Sequence, residues 1–129
     1  MKTTTMLAPA LALASAVLIT TTGPAFAKDG DVRTSGACQG VADWKLKASP
    51  EDGRIEVEAE VDSNRVGQKW NWTLFHNGSV ASSGTGTTAG RSGSFEVRRV
   101  LGNRAGTDTF RFFARRPGTQ QICDGTVRF

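Results

Sequence analysis

The chain has no tyrosine, a single histidine, two cysteines and four prolines, and only 8% of its residues are aromatic. One histidine, His76, leaves little for metal or acid–base chemistry. If the two cysteines pair, it also has no thiol nucleophile to activate. No serine sits in a nucleophile-elbow motif, and no ligand spacing typical of a metal site occurs. A Ser-His-Asp arrangement assembled by the fold is the one catalytic reading left open. The expectation is a protein that is not an enzyme, with no cofactor and no metal. No internal repeat of 20–50 residues occurs. After residue 27 no apolar run is long enough to cross a membrane, so no span is expected once that leader is gone. The net charge of +4 is modest, and nothing in the chain resembles a nucleic-acid module, so nucleic acid is not an expected partner.

The one apolar run lies at the start. Lys2 forms a thin positive region, residues 6–19 are apolar except for Pro9 and Ser15, and Ala25-Phe26-Ala27 is a small-x-small cleavage site. Residues 1–27 therefore read as a signal peptide of a secreted, extracellular protein. An uncleaved anchor is the rival, and the absence of a cysteine after the site argues against a lipid anchor. Residues 28–37, small and polar, read as a flexible arm, and 38–129 as one domain.

Cys38 and Cys123 stand near the two ends of that domain. Export to an oxidising space favours a disulfide between them, with two free thiols or an intermolecular bridge as the alternatives. Closing so large a loop stabilises by roughly 4–5 kcal/mol in the chain-entropy model.

Between the cysteines, short alternating runs are separated by turn residues, and seven strands are expected. Residues 41–48 put Ala42, Trp44, Leu46 and Ala48 on one face, followed by a turn over 49–53. Residues 54–62 carry the clearest period of two: Ile55, Val57, Ala59 and Val61 alternate with Glu56, Glu58, Glu60 and Asp62. Residues 69–76 place Trp70, Trp72 and Leu74 opposite Asn71, Thr73 and Phe75. Asn77-Gly78 signals a type I′ hairpin turn. The next strand, 79–87, is weakly hydrophobic and belongs at an edge. Strands over 94–101, 107–115 and 121–129 complete the set, with Phe110 and Phe112 inward. The fold class is all-β, a single seven-stranded antiparallel sandwich.

The strand count, Trp70 and Trp72, and the stretch Ala105-Gly106-Thr107-Asp108-Thr109-Phe110 resemble an immunoglobulin-like or fibronectin type III-like sandwich over about residues 38–129. The stretch looks like the corner before the sixth strand of such domains. Asp108 stands where a tyrosine corner would place tyrosine, and Phe110 where an inter-sheet cysteine would sit. The chain also resembles small secreted proteins of actinomycete type that carry no assigned activity. Enediyne chromoprotein apoproteins have similar size but carry two local disulfides, which two cysteines cannot form. The resemblance implies a fold and is nearly silent on function.

That topology places the strand over 54–62 between those over 41–48 and 94–101, so Lys45, Lys47 and Arg98 would face the row of glutamates. It gathers the loops after the second, fourth and sixth strands at one end. There Arg65, Lys69, Arg91, Arg115 and Arg116 would converge and attract an anionic partner. A second surface, with Phe75, Phe113, Arg111 and Arg128 pointing outward, has the aromatic and arginine content of an interface. His76 reads as a solvated hairpin residue. Asn71-Trp72-Thr73 and Asn77-Gly78-Ser79 read as chance glycosylation matches. The leading functional expectation is a secreted non-enzymatic binding or surface module that meets an anionic cell-envelope polymer or another protein. The alternatives are a protease inhibitor presenting residues 115–120, a small hydrolase, or a structural domain without a ligand.

Overall fold

The structure, a computed structural model, describes residue 3 and residues 30–129. Apart from residue 3, the expected signal peptide and the first two residues of the arm lie outside the described residues. Eight strands are present: β1 (Val32–Ala37), β2 (Asp43–Glu51), β3 (Arg54–Asp62), β4 (Lys69–His76), β5 (Ser79–Thr87), β6 (Ser94–Gly102), β7 (Thr109–Arg115) and β8 (Ile122–Arg128). They form two four-stranded antiparallel sheets, β1-β2-β3-β6 and β5-β4-β7-β8.

Alternation explains both sheets. Ile55, Val57, Ala59 and Val61 of β3 are fully buried, and so are Trp70 and Leu74 of β4 and Phe110 and Phe112 of β7. These inner faces meet in one core, and each large side chain withdrawn from water contributes about 1.5–3 kcal/mol. On the outer face of the first sheet, Lys47 pairs with Glu58 at 2.6 Å and Arg98 with Glu56, with Glu58 a further 3.9 Å contact. The glutamate row is thus answered by cations across both neighbouring strands.

The expectation of a flexible arm over 28–37 and of seven strands is corrected by β1. Residues 32–37 add an eighth strand to the edge of β2, with Gly36 opposite Trp44. The reason lies outside the local sequence. The Trp44 indole fills the seam between the sheets: a Cβ at Gly36 would come within 2.8 Å of the ring, and one at Gly125 of β8 within 2.5 Å. The Thr34 hydroxyl also donates to the Thr126 carbonyl across that seam at 3.0 Å.

The expected turn over 49–53 shrinks to Asp52-Gly53, because β2 continues through Pro50 to Glu51. Proline is tolerated there since β1 reaches only to Ala48, so its missing N–H deprives no neighbour. The Asn77-Gly78 turn has both φ angles positive, 47° and 84°, as a type I′ hairpin requires.

The weak hydrophobicity of β5 also has a packing cause. A Cβ at Gly84 would stand 3.0 Å from Trp72, and one at Gly86 only 2.4 Å from Phe95. Two glycines leave room for two rings. As expected, this strand lies at a sheet edge.

A disulfide joins Cys38 and Cys123, with Cα atoms 4.3 Å apart at a sequence separation of 85. It sits beside a backbone bond from Gln39 N–H to the Ile122 carbonyl at 2.8 Å, so residues 38–39 and 122–123 meet through hydrogen bonding as well as sulfur.

Candidate binding site

Four loops meet at the end of the molecule where the disulfide lies: 38–42, 63–68, 88–93 and 116–121. Strand register places them together, since Asp43 faces Asp62, Asp62 faces Ser94, Lys69 faces Thr87 and Arg115 faces Ile122.

Two of these loops are locked to one another by buried hydroxyls. Thr88 and Ser63 are each only 1% exposed. The Thr88 hydroxyl donates to the Arg65 carbonyl at 2.5 Å and accepts from Gln68 N–H at 2.9 Å. Ser63 N–H donates to the Gly93 carbonyl at 3.0 Å, while its hydroxyl lies 3.1 Å from the Arg65 carbonyl and 3.2 Å from that of Gly93. Gly67 N–H bonds the Thr88 carbonyl at 2.7 Å. Gly93 has φ of 64°, and a Cβ there would lie 2.3 Å from the Arg65 nitrogen. Only glycine permits this approach. The backbone that carries Arg65 is therefore fixed before any ligand arrives.

All five cations expected at this end stand in or beside these loops. Arg65, Lys69, Arg91 and Arg115 are exposed and Arg116 is half-buried. None of them makes an ion pair with a described residue. Val41 and Val66, 76% and 69% exposed, stand in the same loops and add apolar surface.

The loop over 116–121 is a closed turn. The Arg116 carbonyl accepts from both the backbone N–H and the hydroxyl of Thr119, at 3.3 and 2.7 Å, and Arg116 N–H donates to the Gln121 carbonyl at 3.1 Å.

The second candidate surface is the outer face of the β5-β4-β7-β8 sheet. Phe75 and Phe113 are half-buried, and Arg111 and Arg128 are exposed. Arg111 lies 5.5 Å from the Phe75 ring and 5.6 Å from the Phe113 ring. Its Nε and Nη2 both donate to Asp124, at 2.8 and 2.7 Å. This bond holds the Asp124 carboxyl below the usual carboxylate range and the Arg111 guanidinium above its own, against the opposing effect of partial burial. The guanidinium is stacked and neutralised within the chain, so it offers a partner less than the loop cations do.

His76 is not the solvated hairpin residue its position suggests. It is 4% exposed, stacks on Phe110 at 4.5 Å, and its Nε2 lies 2.5 Å from Oδ1 of the fully buried Asp108. Asp108 also accepts from Arg104 N–H at 3.3 Å. The aspartate that departs from a tyrosine corner thus ties the β6–β7 loop to the β4 hairpin.

A shallow groove of about 300 Å³ lies on the outer face of the first sheet, ringed by Arg33, Lys45, Lys47, Glu58, Glu60 and Glu96. It carries three cations and three carboxylates, of which Lys47 and Glu58 form an ion pair.

Comparison with protein-family models, with curated proteins and with solved structures finds no match.

Proposed function

We propose that the chain is a secreted, non-enzymatic binding module with an immunoglobulin-like or fibronectin type III-like sandwich, and that its basic loop end meets an anionic cell-envelope polymer. The strand orders β2-β3-β6 and β5-β4-β7-β8 support the fold reading. The leader pattern over 1–27 and the disulfide support export.

One observation carries the binding reading. Arg65, Lys69, Arg91, Arg115 and Arg116 stand at one end of the molecule without carboxylate partners among the described residues, whereas Lys47, Arg98 and Arg111 are all paired. The hydroxyl lock under Arg65 lowers the ordering cost of a bound complex. Convergent cations raise the local concentration of a polyanion. Such binding weakens with salt, since charges further apart than about 10 Å are screened at 0.1 M.

The test is retention on purified cell envelope across a salt series. The parent is compared with a variant carrying Arg65→Glu, Lys69→Glu, Arg91→Glu and Arg116→Glu. Retention at low salt, released by salt and lost in a variant of unchanged melting temperature, is expected. Retention that ignores both salt and the substitutions refutes the loop end and favours the Phe75/Phe113 face, whose apolar contacts salt does not screen.

A further inference from the structure

A sandwich of open sheets has four strand edges, each with unpaired backbone groups that must be guarded against pairing with another chain. Three are guarded here. The seam between β1 and β8 is bridged by Trp44 and by the Thr34–Thr126 bond. On β6, Arg54 Nη2 donates to the Val100 carbonyl at 3.2 Å and Arg99 Nη1 to the Arg98 carbonyl at 2.8 Å, so guanidinium groups occupy its backbone.

The fourth edge, β5, is tied to β6 where Arg99 Nε donates to the Ser82 hydroxyl at 3.1 Å, but among the described residues no side chain bonds the backbone of residues 83–87. Its nine residues, SVASSGTGT, contain no charge and no proline. Among the described residues they are ladder-paired on the β4 side alone, and most are exposed. The bulge opposite Leu74/Phe75 affects the beginning of the strand. Ser82–Thr87 remains regular, with Ser83 facing Thr73, Thr85 facing Asn71 and Thr87 facing Lys69.

We infer that β5 is a self-pairing edge, and that two copies of this chain associate by antiparallel β5–β5 pairing about a two-fold axis at Thr85. The residues carry the symmetry. Ser83-Gly84-Thr85-Gly86-Thr87 alternates hydroxyl and glycine identically in both directions. About Thr85, Thr85 meets Thr85, Ser83 meets Thr87, and Gly84 meets Gly86. Cross-strand hydroxyl pairs of this kind are favourable, and no like charges are opposed. On the inner side the glycines are already backed by Trp72 and Phe95, so the new pairing leaves no empty layer. Pairing extends the second sheet from four strands to eight across the axis. It points the two basic loop ends in opposite directions, so one dimer engages two separate sites. The pairing does not depend on what those loops bind.

The experiment is sedimentation equilibrium of the purified protein over a broad concentration range, with Thr85→Lys, Thr85→Glu and an equimolar mixture of the two. Thr85 is exposed on the outer face, so each variant should keep the parent melting temperature. The parent is expected to pass reversibly from monomer to dimer. Each single variant should dissociate at least tenfold more readily, because its new charges meet across the axis. The mixture should regain dimer. A parent that stays monomeric at all concentrations overturns the inference and leaves the edge to a strand from another protein. A dimer indifferent to both substitutions overturns it equally, by locating the interface elsewhere.

Discussion

Trp44 stands between Gly36 of β1 and Gly125 of β8, and replacing Gly125 by alanine tests whether that clasp holds the seam. The added Cβ would fall 2.5 Å from Cε3 and Cζ3 of the indole. Carbon atoms rest at about 3.5–4.0 Å, so the ring must retreat by about 1 Å. Gly36 blocks retreat on one side, where a Cβ would already be 2.8 Å away. The ring must therefore swing outward or the sheets must part. Overpacking of this kind costs about 1–3 kcal/mol. For a domain of this size each kcal/mol lowers the melting point by roughly 4–8 °C. A fall of at least roughly 4 °C is expected for Gly125→Ala in a calorimetric or circular-dichroism melt. Gly102→Ala is the control, since nothing lies within 4 Å of its new methyl, and it should stay within about 0.5 kcal/mol of the parent. Combining Gly125→Ala with Trp44→Leu should cost less than the two separate effects added, because the shorter side chain removes the clash. If Gly125→Ala melts with the parent, or if the double variant is additive, the seam is not held by Trp44.

Three further outcomes are expected. Cys38→Ala with Cys123→Ala frees a loop of 85 residues and should cost about 4.5 kcal/mol in the chain-entropy model, read by chemical denaturation; a loss below roughly 1 kcal/mol would show that the unfolded chain is restrained by something else. Asp108→Ala leaves buried His76 and the Arg104 N–H without this acceptor and should cost about 1–3 kcal/mol for each donor left unsatisfied, whereas a surface position would change within about 0.5 kcal/mol. Asp124→Asn tests pH dependence. The Asp124 pKa is lowered by Arg111, so the contribution of its charge is present above the unfolded carboxylate value of about 3.9 and is lost as pH falls through the lowered folded value. The half-exposed pair is worth about 0–1 kcal/mol after screening. The gap between parent and variant melting temperatures should close on acidification, and a gap constant with pH would refute the pair as its source.

Binding carries one consequence of the loop lock. Gly93→Ala forces a methyl into the Arg65 backbone and should weaken envelope retention even though no charge changes. Equal retention would mean that the loop cations act without a fixed arrangement.

Local pattern carried much of the architecture. β4 follows its alternation residue for residue and β3 does so except at Glu56, which is buried beside Arg98; the Asn77-Gly78 turn is read from two residues whose backbone needs are unusual, and the glutamate row implied its cationic neighbours. These features depend on periodicity and turn chemistry, which act over a few residues. The five loop cations were legible for a related reason: once strands are placed, their connections fall at one end or the other.

Tertiary structure decided the rest. Residues 32–37 carry no strand pattern, and become β1 because Trp44 and Gly125, distant in sequence, create a seam that it closes. Ser63 and Thr88 look like ordinary loop hydroxyls; their burial comes from two loops meeting across the sheets. Asp108 was visible as a departure from a corner motif, but its bond to His76 depends on the β4 hairpin folding over it. Sequence by itself determined which residues alternate, where the chain turns and which ends the cysteines mark, because those properties are local. Which polar groups are buried and which cations meet carboxylates were decided only by the packing of distant segments, because burial and pairing are properties of neighbours that the chain order does not contain.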